Sequence, residues 1–117
     1  MALRITDREV DGVNVLDMDG RITLGEESNM FRERFKALMA AGKKKIVLNL
    51  ANVTYIDSAG IGALMATFNS ARSQGAALKL ANVGSKSREV LQVARLMTFF
   101  DIFDSDSAAV ASFSTSA

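Results

Sequence analysis

Ile46-Val47-Leu48-Asn49-Leu50 is a nearly unbroken apolar run, rich in β-branched residues. A strand with one wet face alternates apolar and polar residues. A run of this kind predicts a strand covered on both faces, which requires other layers and points to an α/β architecture. Further along, Ile61, Leu64, Met65 and Phe68 recur at helical spacing. Between the two patterns lies Val53-Thr54-Tyr55-Ile56-Asp57-Ser58-Ala59-Gly60-Ile61-Gly62, which places Ser58 where a strand turns into a helix. Free N–H groups and the helix dipole both favour an oxygen or an anion at such a junction.

The remaining elements follow from periodicity and turn chemistry. Leu3-Arg4-Ile5-Thr6 and Val10 to about Met18 read as two strands, joined through the hairpin signal Asp11-Gly12 and ended at Gly20. Phe31, Phe35, Leu38 and Met39 mark one face of a helix, with Glu26 and Glu27 in its first turn and Gly42 just past its end. A third strand spans Lys45 to Leu50, and Ala51 to Ile56 reads as a connection. The helix after Ser58 runs to about Ser73, with Gly75 as its stop. Ala77 to Val83 is a fourth strand. A helix from Gly84-Ser85 carries Val90, Leu91, Ala94 and Met97, and Phe99 to Phe103 is a short fifth strand. Ser105 or Asp106 caps a last helix through Val110. The order β-β-α-β-α-β-α-β-α predicts a single domain: an antiparallel first pair, then parallel neighbours joined by right-handed crossovers. The domain is expected over 1–112, with 113–117 a frayed tail.

Composition narrows the chemistry. The 117 residues contain no histidine and no cysteine, which removes Ser-His-Asp triads, thiolate nucleophiles, disulfides and Cys/His zinc sites. No regular acidic calcium loop is present, and no cofactor or metal is implied. A net charge of +1 gives no reason to expect nucleic acid or an anionic membrane. Lys43-Lys44-Lys45, the one basic run, reads as a solvated helix-to-strand connection. No apolar run approaches the ~20 residues that span a bilayer, and the N-terminus lacks the long apolar core of a secretory signal. A cytoplasmic protein without direct membrane contact is the expectation.

Four readings of Ser58 remain. As a nucleophile it lacks the Gly-x-Ser-x-Gly elbow, since Ile56 stands two residues before it, and only a lysine is left as base. As part of a phosphate-binding loop it fails too, because Gly60-Ile61-Gly62 matches neither the P-loop nor the dinucleotide fingerprint. Those glycines instead permit close packing of the helix start or close approach by a partner. Ser58 can cap the helix. It can also accept a phosphate, which adds about −1.5 to −2 charge at a helix N-terminus that tolerates it. The last two readings are compatible.

At these residues the chain resembles a known family. Tyr55-Ile56-Asp57-Ser58-Ala59-Gly60-Ile61-Gly62 is similar to the Asp-Ser-x-Gly signature of STAS domains, specifically bacterial anti-sigma factor antagonists. The resemblance covers nearly the whole chain, including Gly20-Arg21-Ile22, the 46–50 run, the Gly75 stop, Leu78-Lys79-Leu80, Leu96-Met97 and Phe100-Asp101-Ile102-Phe103. It implies a single α/β STAS-like domain with a mixed four- to five-stranded sheet and about four helices largely on one face. It implies that Ser58 is the phosphoacceptor, and that the partners are an anti-sigma factor serine kinase and a serine phosphatase. Unphosphorylated protein would hold the anti-sigma factor and free a sigma factor. Partner contacts carried over from the family fall on Thr23, Leu24, Gly25, Asp57, Ser58, Ala59, Gly60, Ile61 and Gly62. There are two departures: Thr23 stands where many relatives have aspartate, and Met97 where a glycine is common. The competing expectation is a non-catalytic STAS subunit of a stress-signalling assembly or a lipid-transport ABC complex. Neither expectation makes the chain an enzyme.

Overall fold

Asp11 and Gly12 both adopt positive φ (52° and 80°), the conformation a two-residue hairpin turn requires. They join β1 (Leu3–Val10) to β2 (Val13–Ile22) in antiparallel register, from Val10 opposite Val13 to Leu3 opposite Gly20. The coordinates are a computed structural model that describes residues 3–93 and 100–114. After β2 follow α1 (Glu26–Ala40), β3 (Lys45–Ile56), α2 (Ser58–Ser73), β4 (Ala77–Ala81), α3 (Ser85–Val93), β5 (Ile102–Phe103) and α4 (Asp106–Ser114). The strands form one sheet in chain order, with β2–β3, β3–β4 and β4–β5 parallel. The expected mixed sheet and α/β class are therefore what the chain adopts.

Alternation along the strands assigns the two faces. Leu16, Met18, Ile46, Leu48, Leu50, Leu78 and Leu80 point into a continuous core closed by Phe31, Phe35 and Leu38 of α1, Ala63 and Leu64 of α2, and Leu91 of α3. The intervening Val13, Val15, Val47 and Ala81 meet Ala109, Val110 and Phe113 of α4 on the opposite face. This explains why residues 46–48 of β3 are all buried. Three helices lie on one face and α4 on the other.

Beyond α4, the second face is polar. Asn82 Nδ2 donates to Asn49 Oδ1 (2.9 Å), Asn49 Nδ2 to Asp17 Oδ1 (2.8 Å), and Arg8 Nε to Asp17 Oδ2 (2.6 Å). Arg8 Nη2 continues the chain to Asp106 Oδ2 at 2.5 Å, tying α4 to β1. The Arg8 guanidinium is the main cause holding the Asp17 and Asp106 carboxyls below the usual carboxylate range. Lys79 Nζ adds a hydrogen bond to Ser112 Oγ (2.7 Å) and sits 4.1 Å from the Phe113 ring centroid.

Several boundaries differ from the sequence expectation. The second strand passes through Gly20 to Ile22, and the third continues through residues 51–56 instead of ending at Leu50. Over the paired stretch β2 uses Asn14–Ile22, nine residues, and β3 uses Ile46–Ile56, eleven. The excess is taken up at two irregularities, between Asp17 and Asp19 and between Gly20 and Arg21. The Asn49 amide holds the first, since Asn49 Oδ1 accepts from Ala51 N at 3.2 Å. β4 ends at Ala81, where Asn82 takes φ 56°. The described part of the fifth strand is only Ile102–Phe103. The expected fraying from residue 113 does not begin there, because Phe113 is buried within α4. Ala94, Met97 and Phe99 lie outside the described residues.

The consequence is a two-stranded parallel extension. β3 pairs with β4 only as far as Asn49 opposite Ala81, whereas β2 and β3 run on together to Ile22 opposite Ile56. Both strands then turn into helices at the same end of the sheet.

Candidate functional site

Ile22 and Ile56 are buried and end their strands side by side, which brings the 23–25 loop against the start of α2. Asp57 N donates to the Ile22 carbonyl at 3.3 Å. Asp57, with extended backbone (φ −95°, ψ −176°), is the N-cap of α2, and its Oδ1 accepts from Gly60 N at 2.8 Å. Its second oxygen, Oδ2, accepts from Leu24 N at 3.0 Å, so one carboxylate ties the loop to the helix. The Gly60 N–H is the chief cause holding the Asp57 carboxyl below the usual carboxylate range, opposed by desolvation and aided by the Leu24 N–H.

The capping role expected for Ser58 belongs to Asp57. Both residue types suit an N-cap. The backbone decides between them, because the helix begins at Ser58 and the last extended residue is Asp57. Ser58 is thus the first helical residue, exposed, and its hydroxyl has no hydrogen-bond partner among the described residues.

The two glycines of the signature do different things. A Cβ at Gly60 would lie 2.9 Å from both the Ile22 carbonyl carbon and Ile56 Cγ2, so the helix start sits directly on the end of β2. A Cβ at Gly62 would meet nothing within 4 Å, and the residue is exposed. Ile61 is half-buried and packs on the core, Ala59 is half-buried, and Gly60 is buried. Of the residues carried over as contacts, Gly60 is inaccessible and acts by permitting the close approach.

In the loop, Thr23 is half-buried. Its hydroxyl donates to Glu27 Oε1 (3.2 Å), and its carbonyl accepts from Ser28 N (3.1 Å) and Ser28 Oγ (2.5 Å). Gly25 takes φ 96° before α1. Leu24 is 77% exposed, the largest exposure of a bulky apolar side chain among the described residues. Among the described residues Tyr55, at 52%, is the other exposed bulky one, and no exposed role is expected for it from the sequence. Its signal was its position in a segment read as a connection; the irregular pairing of β3 turns it outward. Among the described residues no group of three or more acidic side chains is placed to hold a metal ion, and no helix is long and apolar enough to cross a membrane.

The sequence and the fold are similar to those of known proteins. The sequence pattern of the STAS domain family matches residues 4–109. A protein of Bordetella bronchiseptica named as an anti-sigma factor antagonist, BtrV, is 25% identical over 113 residues, covering 97% of each chain. A Thermotoga maritima protein described as an anti-sigma factor antagonist superposes with a TM-score of 0.85 at 27% identity, covering 92% of each chain. Bacillus SpoIIAA, solved in its phosphorylated form, has the same fold, with a TM-score of 0.73 at 16% identity over 96% of this chain and 99% of that one. With the family pattern spanning nearly its full length, the chain belongs to the STAS domain family.

Proposed function

We propose that this protein is an anti-sigma factor antagonist without catalysis of its own. Unphosphorylated, it binds an anti-sigma factor that is a serine kinase, and so frees a sigma factor. Phosphate on Ser58 ends the hold, and a serine phosphatase restores it. One observation supports this reading most strongly. Asp57 satisfies the helix start, which leaves the Ser58 hydroxyl exposed at the electropositive end of α2. The relatives named as anti-sigma factor antagonists and the phosphorylated SpoIIAA structure support the same direction.

The physical switch is electrostatic. A phosphate there brings about −1.5 to −2 charge beside the Asp57 carboxylate, which is already ionised and committed to backbone N–H groups. The helix N-terminus accommodates that charge, so the fold persists. A partner that covers Leu24, Ser58 and Gly62 must strip water from the dianion, which is costly without a matching cation. Exposed Leu24 and Tyr55 supply apolar area for the same interface.

The test is incubation with the serine-kinase anti-sigma factor and ATP, followed by mass mapping. Phosphate is expected on Ser58 in the native chain and on no residue of Ser58→Ala. Ser58→Ala is expected to bind the kinase with native affinity and to stay bound when ATP is added, while Ser58→Asp binds weakly. Native protein that stays unmodified, or equal affinity of Ser58→Ala and Ser58→Asp, would falsify the switch.

A further inference from the structure

α1 and α2 leave the same end of the sheet and run side by side, and a groove of about 230 Å³ opens between them. Its lining is Arg32, Phe35 and Lys36 from α1 and Ala66, Thr67 and Ser70 from α2. Phe35 and Thr67 are buried, and Thr67 Oγ1 is turned back onto the Ala63 and Leu64 carbonyls at 3.1 and 2.9 Å. The floor is therefore effectively apolar. Arg32 and Lys36 are exposed on the rim, one helical turn apart, and neither has an ion-pair partner among the described residues. No carboxylate lines the groove, and α2 contains none along its whole length.

The groove is continuous with the phosphoacceptor turn. Ser58, Gly62, Ala66 and Ser70 fall on one i, i+4 row of α2, which spans about 18 Å at 1.5 Å per residue. Gly62 and Ala66 are exposed along it, so another backbone can approach closely.

We propose that the α1–α2 groove is the second half of the partner surface and that it receives an acidic helix of the anti-sigma factor kinase. This rests on the function proposed above. The apolar floor takes that helix's apolar side, and carboxylates one turn apart on it meet Arg32 and Lys36. The far end of the groove, at Ser70, lies about 18 Å along α2 from Ser58. A Ser58→Ala background removes the phosphate, so the contribution of the groove is read by itself.

The experiment measures affinity for the serine-kinase anti-sigma factor in a Ser58→Ala background, with and without Arg32→Glu/Lys36→Glu. The charge-reversed pair is expected to bind roughly 10- to 100-fold more weakly, with a flatter dependence on salt. The matched control, Arg4→Glu/Lys45→Glu, carries the same charge change away from the groove and is expected to bind within about twofold of the parent, because distant surface charges are screened. With Ser58 restored, the groove variant is expected to show a raised KM for phosphorylation by the kinase at an unchanged kcat, with the circular dichroism and denaturant midpoint of the parent showing that the variant is folded. Equal affinity of groove variant and parent, or equal weakening by the control pair, overturns the groove and leaves the proposed function standing. A kinase that does not bind the parent overturns both.

Discussion

The starts of α1 and α2 lie side by side and are closed in different ways. At α1 the cap residue is Gly25, with no side-chain cap, and the nearby hydroxyls are used internally: Thr23 donates to Glu27, and the buried Ser28 donates to the Thr23 carbonyl. At α2 a carboxylate does the closing, and the neighbouring hydroxyl of Ser58 is left to solvent. Of the hydroxyls of Thr23, Ser28 and Ser58 beside these two helix starts, that of Ser58 is the one left to solvent. The Asp-Ser order provides this, because the last extended residue is Asp57 and the helix begins at Ser58.

Substitutions that move one helix start and spare the other test this contrast. The largest expected effect is at Gly60, where a methyl group would collide with the Ile22 backbone and Ile56. Gly60→Ala is expected to destabilise the fold by about 1–3 kcal/mol, read from denaturant unfolding. Gly62→Ala, in open space, is expected to shift stability by less than ~1 kcal/mol, toward the stable side, because alanine is the better helix former. Similar losses at both positions would remove the distinction between a glycine the fold needs and one that faces a partner.

Next in size is Asp57→Ala, with an expected loss of about 1 kcal/mol for the cap. Amide exchange should speed up at both Gly60 and Leu24, since one carboxylate serves both N–H groups. Acceleration at Gly60 alone would mean that the loop is held by something else. The same carboxylate sets a pH dependence. Its pKa is lowered in the folded state, so its contribution is present above the ordinary aspartate value of about 3.9 and is lost as pH falls through the lower folded value. Native protein should therefore lose stability on acidification over that window more steeply than Asp57→Asn. Parallel pH profiles would contradict the assignment. Asp17 and Asp106, whose carboxyls are also held low, titrate alike in both proteins and cancel in that difference.

The smallest effect is expected at Thr23. Thr23→Val removes one partly exposed hydrogen bond, to Glu27, and should cost no more than ~1 kcal/mol. In the native chain no phosphate should map to Thr23, whose hydroxyl is engaged by Glu27. Phosphate on Thr23 would break the contrast between the two helix starts.

Much of this was legible in the residues. The Asp11-Gly12 hairpin, the Phe31/Phe35/Leu38 face, the 46–50 strand and the Gly75 stop are where local propensity and burial agree. The strand-to-helix junction could be read for the same reason. What could not be read depends on pairing partners distant in sequence. Ala51, Asn52, Thr54 and Tyr55 are exposed, so the outer half of β3 carries no strand-like alternation, and only its pairing with β2 makes it a strand. That pairing also turns Tyr55 outward. Asp57 and Ser58 are both good caps, and the choice between them lies in backbone angles set by the Ile22 contact. The placement of α4 was hidden because its residues are mostly small, with Phe113 as its single large anchor.

The most direct measurement is the affinity of the serine-kinase anti-sigma factor for this protein carrying phosphate on Ser58, compared with the unmodified chain. Loss of a few kcal/mol on desolvating the dianion predicts binding weaker by about 100-fold, with an unchanged fold by circular dichroism. Equal affinity of the two forms, or phosphorylated protein that has lost its structure, would contradict a switch that acts through the surface.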